Sequence, residues 1–253
     1  MLQKKHFSKL LELMGASKSE QDEAKIPVKN PGKYSREFLE KAKRYVPIMK
    51  YIPGIRAVFL CNTVSFGIAK ETSDIDIFVV TDDKTLWLTR LILTLVLHVL
   101  GVRRHGDTVS GRFCLSFFAT ELGAYNIQSL ERKILEDPYL AVWTSSLKVL
   151  FAEAGFLKKF QKKNEWIQKY NLQFSDRVSS TSSLLFAKIS GKILCFLGGE
   201  FVAKHILSRR TLAKYKKLED TSGTVINDTY LKFHNKDIRH HVFQELSKIA
   251  KFR

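Results

Sequence analysis

The sequence predicts an α/β protein, with a small mixed sheet and its helices followed by an α-helical C-terminal module. Short apolar runs with strand composition alternate with longer runs of helical spacing through the first half of the chain. After residue 121 the strand-like runs become rare and helical spacing predominates. The 253 residues are 45% hydrophobic and 26% charged, which is enough apolar chain to bury one large core or two modest ones.

The N-terminal segment is predicted to be a helix followed by a linker. Residues 2–14 have the apolar spacing of a short amphipathic helix. The stretch 17–33 is polar and contains proline and glycine, as linkers do. We therefore assign residues 1–32 to an N-terminal helix and linker.

Residues 33–120 carry the clearest strand signals and are assigned to the α/β core. After a helical stretch at 35–50, the predicted elements are a strand over 55–60, a turn and short helix over 62–70, a strand over 75–81, a buried helix over 86–100 and a strand over 112–120. The run 75–81 is too apolar for an edge facing solvent, so we expect it inside the sheet.

Residues 121–253 are assigned to a basic α-helical module. Helical spacing covers 131–150, 155–170 and 184–210, and a last helix is expected near residue 237. We interpret 184–207 as a core helix. Its polar face is mainly lysine, so a helix lying on a membrane surface is the alternative.

Charge is distributed unevenly along the chain. Residues 1–150 hold 22 Lys and Arg against 16 acids, whereas residues 151–253 hold 20 against 9, within a net charge of +17. Such a C-terminal half suits RNA or another polyanion, although basic charge can equally serve solubility. The candidate phosphate contacts, which equally fit a solvated helix end, are Arg209, Arg210, Lys214, Lys216 and Lys217.

Cysteine usage and hydropathy predict a cytoplasmic protein without a transmembrane segment. The three cysteines, Cys61, Cys114 and Cys195, are far apart and form no CxxC motif, which disfavours a zinc or disulfide framework. Cys114 and Cys195 lie in apolar runs, where a thiol usually behaves as a small core side chain. The first residues lack the apolar core of a secretory signal, and charges interrupt both long apolar stretches.

The candidate catalytic and metal-binding residues are Asp74 and Asp76 in the run Ser73-Asp74-Ile75-Asp76-Ile77. Alternate residues of a strand point to the same face, so the two carboxylates should project together. Carboxylate oxygens are the ligands that hard cations prefer. The pair therefore predicts a Mg²⁺ site, and two such ions could clamp an in-line phosphoryl displacement.

The turn at Asn62 and Thr63 complements the carboxylate pair. It follows one strand and opens a short helix, so its N–H groups should face an incoming phosphate. Thr63 offers a hydroxyl donor, and Asn62 tolerates a left-handed backbone. A cation site beside an anion site predicts a nucleoside triphosphate bound with Mg²⁺, although such residues can also serve only to cap a helix.

This arrangement resembles the polymerase β-type nucleotidyltransferase superfamily, whose motif is Gly-Ser, a short helix and Asp-x-Asp on a strand. The resemblance covers residues 50–120. Asn62 and Thr63 take the places of the usual Gly and Ser, and Gly67 and Ser73 fall at further motif positions, which implies that all four bind the nucleotide. Active members usually carry a third carboxylate on a following strand, as a metal ligand or general base.

In this sequence the candidate third strand contains no acid. Ser116 occupies an inward position on it, and Asp107 and Glu121 flank it. Two hypotheses follow from the resemblance. The favoured one is transfer of a nucleoside monophosphate from a triphosphate to an acceptor hydroxyl, with RNA as one candidate acceptor. The alternative is a catalytically degenerate protein of this fold that binds nucleotide or nucleic acid.

The basic cluster Arg103-Arg104-His105 follows the buried helix and admits two interpretations. These side chains could contact a triphosphate, or they could cap the C-terminus of the helix through its dipole. We favour the cap. The sequence does not identify a partner protein.

Overall fold

The computed structural model describes residues 2–131, 137–174, 181–182, 185–215, 221, 223–233 and 238–249. They contain a seven-stranded mixed sheet in the order β5-β4-β1-β2-β3-β7-β6. The strands are β1 (Ile55–Leu60), β2 (Ile75–Thr81), β3 (Phe113–Thr120), β4 (Lys148–Glu153), β5 (Thr181–Ser182), β6 (Thr224–Ile226) and β7 (Tyr230–Phe233). The helices are α1 (Lys4–Leu13), α2 (Lys18–Glu23), α3 (Lys33–Met49), α4 (Asn62–Phe66), α5 (Leu86–Val99), α6 (Glu121–Tyr125), α7 (Pro138–Ser145), α8 (Phe156–Lys163), α9 (Leu185–Phe196), α10 (Gly199–Tyr215) and α11 (Arg239–Ile249).

The centre of the sheet agrees with the sequence prediction. β2 lies between β1, to which it is antiparallel, and β3, to which it is parallel. Its side chains alternate between two buried faces, with Ile77 and Val79 on one and Phe78 and Val80 on the other. A strand buried on both faces must be apolar throughout, which explains why this run lacks alternation. The mixed α and β composition is thus confirmed.

Helices cover both faces of the sheet. One core cluster joins Phe59 and Phe78 to side chains from α1, α7 and α8, and the other joins Val58 and Ile77 to side chains from α3 and α5. Leu10 of α1 is fully buried, so the predicted N-terminal helix is part of the first core. The predicted linker packs against the end of α4, where the Val28 N–H donates to the Phe66 carbonyl at 3.0 Å.

The C-terminal half differs from the predicted helical module because it contributes four strands to the sheet. β4 pairs antiparallel with β1, and β7 pairs antiparallel with β3. The segment 131–150 contains α7 and then the first half of β4, instead of one helix. β4 becomes a strand because it completes the hydrogen bonding of β1, which is a distant interaction that local spacing does not encode.

The predicted helix 184–210 is two helices broken at Gly198, whose φ of +82° closes the turn between α9 and α10. The sheet-facing side of α9 carries small residues, Ala187 and Gly191, and both are buried. A Cβ atom on Gly191 would lie 2.6 Å from the Gly54 nitrogen, so this close approach requires glycine. The core-helix interpretation was therefore wrong for α9, which buries small side chains and exposes large apolar ones.

Membrane-spanning potential is absent from the described helices. Among these residues no helix combines the length and apolarity that a bilayer crossing requires.

Candidate functional site

Asp74, Asp76 and Cys114 form the candidate site. Asp76 lies on β2 and Asp74 directly precedes that strand, and the two carboxylates project together as their spacing predicts. Cys114 is the register partner of Asp76 on the parallel strand β3. One potential ligand atom from each of the three residues lies within 4.8 Å of the other two.

The position of Cys114 corrects the sequence interpretation. The thiol is half-buried beside the two carboxylates and is not simply a core side chain. Ser116 lies two residues further along the same face of β3, and its hydroxyl is 3.4 Å from Asp76 Oδ1. The alternation of β3 places both residues on one face, so the period of the strand was the signal that could have found Cys114.

Asn62 and Trp143 hold the Asp76 carboxylate in place. Asn62 Nδ2 donates to Asp76 Oδ2 at 2.9 Å, and Asn62 Oδ1 accepts from Trp143 Nε1 at 3.0 Å. The backbone of Asn62 is left-handed, with φ of +56°, as the sequence analysis anticipated. The Asn62 side chain therefore supports a carboxylate, and Trp143 is a supporting residue that the sequence analysis missed.

Thr63 remains available to a ligand. Its side chain is half-buried, and its hydroxyl makes no hydrogen bond to any of the described residues. Thr63 is the second residue of α4, which has only five residues, so the helix dipole is small and the free N–H groups at its start are the stronger attraction for an anion.

Arg104 binds the other carboxylate. Its Nη1 lies 2.5 Å from Asp74 Oδ2, and its side chain is 46% exposed. The predicted helix cap is therefore wrong for Arg104, whose side chain pairs with Asp74, while backbone N–H groups of the following loop donate to the Leu97 and His98 carbonyls at the end of α5.

Burial and the proximity of the two carboxylates dominate the electrostatics of the site. Burial, and secondly the Asp74 charge, raise the pKa of Asp76 to about 6, against the opposing hydrogen bonds from Asn62 and Cys114 and the Arg104 charge. Burial and the two carboxylates also raise the pKa of the Cys114 thiol, which is therefore protonated at neutral pH. A divalent cation between the carboxylates would offset the repulsion that raises the Asp76 pKa.

Gly67 and Ser73 shape the loop between β1 and β2. Gly67 ends α4 with φ of +90°, and a Cβ there would lie 2.6 Å from Val28 Cγ2. Ser73 Oγ accepts from the Lys70 N–H at 2.9 Å within the turn before Asp74. Their proposed nucleotide contacts stay predictions.

The two acids expected near the third strand lie outside the cluster. Glu121 is 3.6 Å from Arg56 and accepts from Tyr125, beyond the C-terminal end of β3. Asp107 is exposed in the loop before β3. Neither belongs to the group formed by Asp74, Asp76 and Cys114 in the described part of the chain. The third position therefore offers a thiol and a hydroxyl.

The predicted phosphate contacts of the C-terminal half are only partly described. Arg209 is exposed on α10, whereas the side chains of Arg210 and Lys214, and the whole of Lys216 and Lys217, lie outside the described residues.

A cleft along α3 was not anticipated from the sequence. It has a volume of about 870 Å³, its charged lining residues are Arg36, Lys41 and Arg44 with Glu37 and Glu40, and it does not extend to the aspartate pair. Burial and the Arg112 charge lower the pKa of Lys41, as expected where cations crowd together.

No family model, curated protein or solved structure matches this chain. The geometry of the aspartate cluster is therefore the basis for assigning a function.

Proposed function

We propose that Asp74 and Asp76 bind Mg²⁺ together with the phosphates of a nucleoside triphosphate. The observation that carries this proposal is the pair of carboxylates of Asp74 and Asp76, where burial and the Asp74 charge raise the pKa of Asp76. Thr63, whose hydroxyl has no hydrogen-bond partner among the described residues, directly follows Asn62, which donates to Asp76. A site for a cation and a site for an anion meet there, and a magnesium nucleotide carries both charges. The motif that resembles polymerase β-type nucleotidyltransferases supports the same ligand.

The donor set fits one magnesium ion better than two. Two carboxylate oxygens are hard ligands, and water and phosphate oxygens commonly complete the octahedron around Mg²⁺. The third member, the Cys114 thiol, is a soft donor and is held protonated. A second ion would need a further carboxylate, and the cluster contains none.

Three groups of this chain would hold the phosphates. Thr63 supplies its hydroxyl, and the first N–H groups of α4 have no acceptor within that helix. Arg104 can release Asp74 when the cation neutralises it, and its guanidinium can then pair with a phosphate oxygen. In this proposal Asn62 and Trp143 act as positioning residues for Asp76.

The geometry supports nucleotide binding more strongly than efficient transfer. Transfer would break the bond between the α-phosphorus and the bridging oxygen of pyrophosphate and form one to an acceptor oxygen. The acceptor hydroxyl must lose a proton, and neither Cys114 nor Ser116 is a suitable base at neutral pH. A bound Mg²⁺ would supply Lewis-acid stabilisation of the phosphate charge.

Nucleotidyl transfer is the second candidate function. The observation that favours it is that the Asp76 carboxylate is fixed beside Asp74 by hydrogen bonds. Trp143 donates to Asn62, and Asn62 donates to Asp76. The acceptor would be a polyanion such as RNA.

Calorimetric titration with a non-hydrolysable nucleoside triphosphate tests the binding proposal. We expect binding in Mg²⁺ that the double substitution Asp74→Asn/Asp76→Asn weakens by about 100-fold or more, since both charged ligands are removed. Asp107→Asn is the matched control, because it removes an exposed carboxylate outside the cluster and should leave affinity unchanged. Equal binding by the wild type and the double variant, or no binding in Mg²⁺, would contradict the proposal.

Replacing Cys114 with aspartate should separate binding from transfer. The new carboxylate would lie on the same face as Asp76 and should strengthen Mg²⁺ binding on the order of tenfold, while offering the missing base. Pyrophosphate release from an ordinary triphosphate reports transfer to any acceptor, so an increase in Cys114→Asp is the expected result. Cys114→Ser is the control of similar size. Rapid pyrophosphate release by the wild type, unchanged in both variants, would show that no third carboxylate is needed.

A further inference from the structure

The α9–α10 hairpin, residues 185–206, exposes an extended apolar surface. It holds nine of the sixteen large apolar side chains that are exposed among the described residues. The most exposed lie at its tip, around the Gly198 turn, where Phe196 is 91% exposed, Leu197 72% and Phe201 75%. A concentration of this kind on one supersecondary unit marks an interaction surface and is not the usual scatter of single apolar residues.

The packing of α9 produces this exposure. Its small residues, Ala187 and Gly191, face the turn at Gly54, and the Ala187 carbonyl accepts from the Gly54 N–H at 2.8 Å. The larger side chains therefore point outward at helical spacing, in the stripe formed by Leu185, Ile189, Ile193 and Phe196. The arrangement is the reverse of an amphipathic helix that packs on its own protein core.

Charge on the hairpin is predominantly positive, although Lys188 pairs with Glu153 and Lys204 pairs with the exposed Asp228. The acid within residues 185–206 is Glu200, and it turns inward to accept from the Trp87 and Leu88 N–H groups at 3.0 and 2.8 Å. Lys192 on α9 is exposed, and Arg209 continues the basic side along α10. An apolar stripe bordered by lysine and arginine suits a partner with an apolar interior and negatively charged groups at its boundary.

The hairpin lies at the opposite end of the central strands from the aspartate pair. Cys195 Sγ contacts the Lys84 carbonyl at 3.2 Å, beyond the C-terminal end of β2, whereas Asp74 precedes the N-terminal end of that strand. A planar partner covering the hairpin would therefore leave the aspartate cluster open.

We propose that the α9–α10 hairpin binds the surface of an anionic lipid bilayer, with Phe196, Leu197 and Phe201 entering the interface. The proposal is independent of the nucleotide site. A bilayer has an apolar interior that can accept the exposed apolar side chains of the hairpin. Its anionic headgroups can pair with the basic residues beside them. A second copy of the chain fits less well, because a two-fold contact would bring two basic borders together. The hairpin lies on the membrane in this proposal and does not cross it.

Sedimentation of the full chain with vesicles tests the proposal. We expect binding to phosphatidylcholine vesicles containing phosphatidylglycerol, little binding to phosphatidylcholine alone, and weakening as ionic strength rises. Phe196→Ser/Phe201→Ser should lower the partition coefficient on the order of tenfold or more. Leu122→Ser is the matched control, because Leu122 is 65% exposed on α6 and outside the hairpin, and its vesicle binding should equal that of the wild type.

Three results would overturn the proposal. The first is no binding to the anionic vesicles at low ionic strength. The second is undiminished binding by the double phenylalanine variant. The third is a stable dimer in solution that Phe196→Ser/Phe201→Ser dissociates while the wild type ignores vesicles, which would assign the surface to a second copy. Asp74→Asn/Asp76→Asn should sediment as the wild type does, so failure of the nucleotide proposal is distinguishable from failure of this one.

Discussion

Replacing Arg56 with alanine should lower the free energy of unfolding by about 3–5 kcal/mol. Arg56 lies on β1 with only 11% of its side chain exposed. Its guanidinium pairs with Asp82 at 2.5 Å, with Glu121 at 3.6 Å and with Glu153. Three elements of the sheet region, β4, α6 and the loop after β2, are thus joined to β1 by one cation.

The size of the expected loss comes from the acids that Arg56 neutralises. Burial raises the pKa of Asp82, and the Arg56 charge is the main opposing influence. Without Arg56, the cation left to the three carboxylates among the described residues would be Lys188, which is 3.5 Å from Glu153. Unpaired charges with little access to water are costly, whereas exposed ion pairs contribute little.

Chemical denaturation at neutral pH measures the Arg56 effect. Lys43→Ala is the control, since Lys43 pairs with Glu40 on the exposed side of α3 and should change stability by about 0.5 kcal/mol or less. The loss in Arg56→Ala should shrink as pH falls and Asp82, whose pKa is raised by burial, becomes protonated. A loss below about 1 kcal/mol would show that solvent screens this cluster far more than its burial indicates.

Local sequence patterns predicted the centre of the sheet well. The predicted bounds of β1 and β2 coincide with the observed Ile55–Leu60 and Ile75–Thr81, because each is an apolar run between turn residues. β4 was missed because Lys148–Glu153 directly continues a helical pattern and is a strand only through its pairing with β1. The exposed face of α9 was missed because it depends on the close approach of Gly191 to Gly54.

The same distinction between local pattern and tertiary contact applies to the residues of the candidate site. Asp74 and Asp76 could be paired from the sequence, because two residues on one strand share a face by geometry alone. Cys114 joins them only through the parallel register of β2 and β3, and Arg104 reaches Asp74 from the loop after α5. The alternation of β3 could have placed Cys114 on the same face as Ser116, but which strand lies beside it is decided by tertiary structure.

The metal-free protein should become more stable above pH 6 when Asp76 is replaced by asparagine. Burial and Asp74 raise the pKa of Asp76 from 3.8 to about 6, so the native state favours the protonated acid. The contribution of Asp76 to the free energy of unfolding is therefore fully present below its ordinary pKa of 3.8. It is lost as pH rises through the pKa of about 6 that Asp76 has in the folded protein. The loss in the wild type should amount to about 1–3 kcal/mol between these two pH values.

Asparagine is a close neutral substitute at this position, because its amide oxygen can still accept from Asn62 Nδ2. Asp76→Asn should match the wild type at low pH and exceed it by about 1–3 kcal/mol at pH 8, measured by denaturation in a metal chelator. Adding Mg²⁺ should narrow the difference, since the ion stabilises only the chain that keeps both carboxylates. If the variant is less stable than the wild type at pH 8 without metal, Asp76 is a structural acid, and its position beside Asp74 no longer supports a cation site.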